Sequence, residues 1–410
     1  MTTPAITRIQ ATTWRNALFV IFGLCGLGIA SWMARTPAVK DALGASTADM
    51  GILILCLAIG SIVGLLASSH AIAIFGTRPI IASALGLGPI GVVVAGFGVT
   101  LGPDGFWVVA AGLCFFGGAL SIADVAMNLS GAINERMLGR TVMPVYHAFF
   151  SFGTMLGAGI GALAEFLRVP IAAQAIVIGA IIIIAGLTSV RFLQHERVGD
   201  DPADADGPAA SWRDRLSIWR DRRTLLIGVI VLGMALAEGS ANDWLALTMV
   251  EGHGMDRASG ALVFGVFVTA MTVGRLAGVR VLDRFGRVPV LRGSAVLAIA
   301  GLLIVIFVPV SWIAVVGVVM WGLGSALGFP TGMSAAADDP RTAAARVSAV
   351  ATIGYLAFLA GPLAIGFLGE QFGLLRALLF VLVLVIAAGL ASGAAREPTA
   401  VKDSANGRAH

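Results

Sequence analysis

Residues 171–190 read Ile-Ala-Ala-Gln-Ala-Ile-Val-Ile-Gly-Ala-Ile-Ile-Ile-Ile-Ala-Gly-Leu-Thr-Ser-Val, twenty positions without a charge. At ~1.5 Å per residue a helix of that length spans the ~30 Å hydrocarbon layer of a bilayer. Lipid cannot hydrogen-bond a bare backbone, so such a run must be helical rather than an open strand. Apolar runs of this kind recur on both sides of it, near 14–36, 48–70, 78–100, 104–130, 141–167 and 170–193, then near 223–250, 257–282, 287–308, 311–335, 343–368 and 373–395. The reading is an all-α polytopic membrane protein with twelve transmembrane helices in two pseudo-symmetric six-helix bundles, residues 1–193 and 223–410, joined by a linker at 194–222.

Composition agrees. Hydrophobic residues make up 58% and charged residues 12%, against roughly 25% charged in a soluble domain. The 53 glycines suit helices that pack through small residues, and Gly153, Gly157 and Gly161 mark one face of the fifth span for close approach. The net charge of +4 is spread over short loops, which excludes a nucleic-acid patch. Cys25, Cys56 and Cys114 fall inside apolar runs, so neither disulfides nor a metal site is expected. The start, with Arg8 and Arg15 before an apolar stretch, has the outline of a secretory signal, but eleven spans follow it and it reads as an uncleaved first helix.

Lys and Arg set the orientation. With the N-terminus inside, cytoplasmic segments carry 21 of the 27 and outer loops five (Arg35, Lys40, Arg168, Arg257, Arg376), leaving Arg275 within a span. Both termini and the middle loop are therefore expected in the cytoplasm. In that loop Asp200, Asp201, Asp204 and Asp206 mark a polar, flexible stretch. Trp212, Leu216 and Trp219, with Arg213, Arg215, Arg220 and Arg222 nearby, fit either a passive linker or a short helix at headgroup level.

The second six spans echo the first. Phe75-Gly76-Thr77-Arg78 answers Phe285-Gly286-Arg287, Trp32 answers Trp244, and Glu165 answers Glu370, at offsets of 205 to 212. Duplication of this kind is typical of secondary transporters.

Between the eighth and ninth spans the chain reads Gly278-Val-Arg-Val-Leu-Asp283-Arg284-Phe285-Gly286-Arg287. This resembles the cytoplasmic loop signature of the major facilitator superfamily, an Asp-Arg pair followed by Gly-Arg at a tight turn. The first half keeps only Gly76 and Arg78 of the pattern and lacks the acid. Asp124-Val-Ala-Met-Asn128 and Glu238-Gly-Ser-Ala-Asn-Asp243-Trp244 look like a bacterial branch that includes rhizopine-transport-type proteins and is distantly similar to fucose–proton symporters. The resemblance implies a bacterial inner-membrane transporter, monomeric, working by alternating access on a small-molecule substrate, with fourth-helix acid chemistry in proton coupling.

Asp124, His147, Glu238, Asp243 and Arg275 lie inside spans, with Arg35 at an outer boundary. Each central charge costs roughly 2.5–3.5 kcal/mol to insert, so these groups must pair, shed charge or line a wet cavity. Shifted by the repeat, Asp124 falls on Phe329, Asn128 on Met333, His147 near Ala351, Arg275 near Leu65, Glu238 on Gly26 and Asp243 on Ser31. A purely structural charge should have an equivalent in the other half, and none of these does. His147 as a helix–helix hydrogen-bonding group and Arg275 as a partner of Asp283 are the structural alternatives.

By depth, Glu238 lies roughly 21 Å from the inner face, and Asp243 and Arg35 both lie near ~28 Å. The expected proton-coupling groups are Asp124, which is expected to be buried, His147 and Glu238. The expected substrate-binding groups are Trp32, Asn128, Glu238, Asn242, Asp243, Trp244 and Tyr355, a set suited to a sugar-like or polyol-like solute. Trp32 and Trp244 are equally readable as interfacial anchors. Arg35 and Asp243 are expected to pair as an outer gate, with Arg275, Asp283, Arg284 and Arg287 in gating roles. No phosphate-cradling loop appears, so no nucleotide cofactor and no enzyme activity are expected. The alternatives are a proton-antiporting drug or metabolite exporter and, further off, an intramembrane enzyme or a receptor.

Overall fold

The computed structural model describes residues 7–139, 142–194, 218–338 and 343–397. Among them every regular element is helical: α1 Arg8–Met33, α2 Thr36–Leu43, α3 Thr47–Phe75, α4 Thr77–Val99, α5 Phe106–Leu138, α6 Met143–Phe166, α7 Ile171–Val190, α8 Arg222–His253, α9 Arg257–Phe285, α10 Arg287–Phe307, α11 Ser311–Ser325, α12 Gly328–Ala336, α13 Ala343–Phe372 and α14 Leu374–Ala391, with single 3-10 turns at Gly102–Gly105 and Ser392–Ala395. Twelve stretches are long and apolar enough to cross a bilayer, in the places the apolar runs predict. The proposed helix around 211–223 lies mostly outside the described residues, though Trp219 is exposed.

Local chemistry sets the ends. Thr7 with Gln10 and Ser46 with Asp49 form reciprocal capping boxes that satisfy the first N–H groups of α1 and α3. Gly76 and Gly286, 210 positions apart, have φ of 80° and 75° and join α3 to α4 and α9 to α10 without a spacer. Only glycine takes that conformation cheaply, so the repeated Phe-Gly pair is a turn requirement met twice.

Three boundaries differ from expectation. The first helix ends at Met33, and a short helix, α2, follows with Pro37 in its first turn and Gly44 in the left-handed conformation at its close. α5 continues to Leu138, beyond 130, and Glu135 near its end accepts from the backbone N–H groups of Val142 (2.5 Å) and Met143 (2.6 Å) at the start of α6. The tenth span is two helices, α11 and α12. Pro330, which has no N–H to give, falls in the first turn of α12, where that N–H has no intrahelical partner to lose.

By its contacts the chain forms two compact units. The first holds Met1–Asp201, Asn242–Val268 and Pro362–Gln371; the second holds Pro202–Ala241, Thr269–Gly361 and Phe372–His410. In the first unit α1 packs on α6, and α5 packs on α3 and α4. The α1–α6 seam is the one marked by the glycine stripe: a Cβ on Gly157 would stand 2.6 Å from the Leu27 carbonyl oxygen. The core around Trp14, Phe22 and Tyr146 is tied by polar bonds, with Trp14 Nε1 donating to Ser130 (3.0 Å) and Tyr146 Oη donating to Asn134 (2.7 Å). In the second unit α10 packs on α11 through Gly301 and Gly317, and Trp321 Nε1 donates to the Ala237 carbonyl (3.1 Å). Trp107 and Trp312, each the second residue of its helix and 205 positions apart, are 71% and 70% exposed.

Candidate functional site

α2 gathers a polar network within the first unit. Arg35, at the turn from α1, is buried, with Nε 2.8 Å from the Glu165 carboxylate. That contact lies off the N–H axis, so it is an ion pair rather than a straight hydrogen bond. Arg35 Nη1 donates to Gln174 (2.5 Å) and Nη2 donates to the Val169 carbonyl (2.9 Å). Burial lowers the Arg35 pKa and the Glu165 carboxylate opposes that. The expected Arg35–Asp243 gate is therefore corrected. The early end of α1 turns Arg35 toward the ends of α6 and α7, where Glu165 already satisfies it.

Residues of the second six spans enter this network. Arg257, first residue of α9, lies 2.6 Å from Asp41 and 3.4 Å from Glu165. Lys40 pairs with Glu251 near the end of α8 and donates to Thr47 Oγ1 (2.8 Å). Glu370, near the end of α13, accepts from the backbone N–H groups of Thr47 (2.7 Å) and Ala48 (3.4 Å), the first two of α3. A carboxylate at a helix N-terminus satisfies orphan donors and meets the positive end of the helix dipole.

On α8, Asn242 and Asp243 are half-buried and have no hydrogen-bond or ion-pair partner among the described residues. Trp32 is 5% exposed and Trp244 0%, the latter with an unpartnered indole N–H, so neither offers the stacking face or the interfacial anchor expected of it. Both helices turn these rings inward to fill space between close-packed neighbours. Asp124, expected to be buried, is exposed in α5. Asn128, one turn on, gives its amide to the Asp124 carbonyl (2.8 Å) and carboxylate (3.1 Å), so these two act together. The His147 ring meets the edge of Phe22 at 5.5 Å.

In the second unit Arg275 Nη2 lies 2.8 and 2.9 Å from the two oxygens of Glu238. Arg275 therefore pairs across to α8, not with Asp283 on its own helix, which is exposed. The loop signature is organised by a residue the sequence reading passed over. Asp338 binds Arg287 (2.6 Å) and Arg223 (2.7 Å), while Ser334 accepts from Arg287 (3.0 Å) and Arg284 lies over the Phe285 ring at 5.4 Å. Tyr355 is exposed on α13. Asp41, Glu251 and Asp338 carry no signal in the sequence; Lys40 stands out there only as an outer-loop charge, and Glu165 and Glu370 only as a repeat match. A signal for those two is present in the sequence: acids at the ends of equivalent spans, 205 positions apart.

Comparison with known proteins accords with this architecture. The chain is 32% identical over 363 residues to an uncharacterized MFS-type transporter of Yersinia pestis, covering 88% of this chain and 89% of that one. It is 26% identical over 375 residues to membrane protein MosC of Rhizobium meliloti, covering 90% and 87%. Solved structures sharing the fold include the nucleoside transporter NupG (TM-score 0.71, 16% identity, 94% of this chain and 98% of that one). The fucose:proton symporter FucP of E. coli also shares it (TM-score 0.61, 15% identity, 94% and 98%). The Major Facilitator Superfamily profile matches residues 17–345 and 239–409. With twelve spans, a repeated half and this match along its length, the chain belongs to the Major Facilitator Superfamily and is a multi-pass membrane transporter, not an enzyme.

Proposed function

We propose that the protein is a secondary active transporter of the bacterial inner membrane, moving a small polar solute by alternating access with proton coupling, and that both termini face the cytoplasm. The observation that carries this reading is the network at α2, where Lys40–Glu251, Asp41–Arg257, Glu165–Arg257 and Glu370 on the start of α3 join the first six spans to the second six. Such contacts can be exchanged for water at small net cost, as a gate that opens every cycle requires. The excess of Lys and Arg on the opposite loops supports placing α2 outside. Asp124 is the proposed proton-responsive carboxylate, with Asn128 and His147 shaping its surroundings and Glu238 as a second acid. FucP and NupG make sugars and nucleosides the first solutes to try.

Uptake of labelled sugars, polyols and nucleosides into proteoliposomes, with and without an imposed pH gradient, tests the proposal. Gradient-driven accumulation that an ionophore abolishes is expected. Asp124→Asn should lose accumulation yet keep exchange down the solute's own gradient. Accumulation by that variant with normal pH dependence would move the role to Glu238. Cysteine labelling tests orientation: positions 103 and 254 should react from outside and position 205 should not.

A further inference from the structure

Glu238 and Arg275 face each other from α8 and α9. Arg275 spends one nitrogen on both oxygens of Glu238, at 2.8 and 2.9 Å. Its Nε and Nη1 have no partner among the described residues, and the side chain is 37% exposed against 18% for Glu238. Three N–H donors therefore face accessible space beside a carboxylate with lone pairs to spare. At the equivalent point of the first half stands Gly26, 212 positions earlier, where a Cβ would run into the backbone of Phe150. One half closes a helix seam there and the other places two charges.

The surroundings add aromatic surface. A Cβ on Gly239, next to Glu238, would lie 3.2 Å from the Phe358 ring of α13. Tyr355, three residues earlier on α13 and so near the same face, is 44% exposed.

Charge balance selects the solute. The pair is neutral as it stands. A solute of one sign leaves the neutral site with a net charge, which is unfavourable where the pair is partly buried. A neutral polyol leaves the pair closed and gives it no reason to be charged. A solute with both signs separates the pair while satisfying both members. We propose that Glu238 and Arg275 are the receiving pair for a zwitterionic solute, Glu238 taking its ammonium and Arg275 its carboxylate. This rests on the transport reading but not on sugar as the cargo.

The test is a thermal-shift and binding series on the purified full-length protein with four-carbon probes matched in size: 4-aminobutanoate, butanoate, butylammonium and erythritol. The zwitterion should stabilise the protein and the other three should not. Glu238→Gln should weaken the zwitterion by at least about tenfold, the loss of a charge-assisted hydrogen bond, and bring butanoate level with it. Arg275→Gln should do the converse with butylammonium. Stabilisation by none of the four, equal stabilisation by a one-signed probe, or preference for erythritol would overturn the assignment. Uptake into proteoliposomes separates this from the transport reading. Binding of 4-aminobutanoate without uptake would count against transport and leave the pair's role standing. Gradient-driven uptake of some other class, without binding of the zwitterion, would sink this inference and leave transport intact.

Discussion

Glu165 near the end of α6 meets the side chains of Arg35 and Arg257, whereas Glu370 near the end of α13, 205 positions later, meets the first two backbone N–H groups of α3. The helix starts they face are also related. Residue 47 opens α3 as residue 257 opens α9, and the caps are mirror images: Ser46 with Asp49 on one, Asp256 with Ser259 on the other. At α3 the residue after the cap is Thr47, whose amide and the next one receive Glu370; at α9 it is Arg257, whose side chain pairs with Asp41 at 2.6 Å and reaches Glu165 at 3.4 Å. Equivalent acids thus act at one helix start as a backbone ligand and at the other as a member of a charge cluster. The two arms should therefore respond differently to salt, mutation and acid.

The largest break should come at Arg35. Arg35→Met leaves Glu165, Gln174 and the Val169 carbonyl without their buried partner, and should cost about 3–5 kcal/mol, as breaking a buried pair does. Thermal unfolding in detergent measures it, and a loss below ~1 kcal/mol would place Arg35 among ordinary surface groups. Next is Glu370→Ala, expected to cost ~1–2 kcal/mol as the loss of a cap at a helix N-terminus. Because its contact is to backbone, the loss should change little when Thr47→Ala is added. A double-mutant cycle of Glu165→Gln with Arg257→Ala, by contrast, should show a coupling of ~0.5–1 kcal/mol that fades in high salt. Equal coupling in both cycles would erase the distinction.

Lys40→Glu and Glu251→Lys should each slow transport and together recover part of it; losses that simply add would mean the two side chains do not act as a pair. The smallest effect belongs to the caps. Asp256→Ser with Ser259→Asp rebuilds the α3 arrangement on α9 and should shift stability by less than ~0.5 kcal/mol. The Ser259 hydroxyl first, then backbone N–H groups, hold the Asp256 carboxyl below the usual carboxylate range. Its contribution is thus complete above the ordinary Asp value and is lost as pH falls through the lowered one. Protection of the first amides of α9 from hydrogen exchange should weaken on that acid limb in the native chain.

The fold was legible because bilayer thickness and backbone satisfaction leave few options: all twelve spans follow from apolar length, and the Gly76 and Gly286 turns from their repeated motif. The site was harder to read. Depth along a helix put Arg35 and Asp243 level, but a three-residue change in where α1 stops turned Arg35 toward a different neighbour. α2 escaped notice because eight residues carry little apolar signal in a loop already counted as a connection. Charge in a span marked Glu238 and Arg275 singly; their distance belongs to the packing of α8 on α9, which no one-dimensional pattern encodes. Trp32 and Trp244 failed for a related reason, since helical position does not say whether a ring faces a cavity or a neighbour.

Trp107 and Trp312 give the molecule an optical handle. Of the described tryptophans, these two and Trp219 are open to the surroundings, while Trp14, Trp32, Trp244 and Trp321 are enclosed. Brominated lipids carrying the quencher at graded depths should therefore dim one emission population and spare the other. Because Trp107 and Trp312 sit at equivalent points of the repeat, their quenching profiles should peak at the same depth, a spectroscopic ruler for how each half rides in the membrane as the transporter turns over.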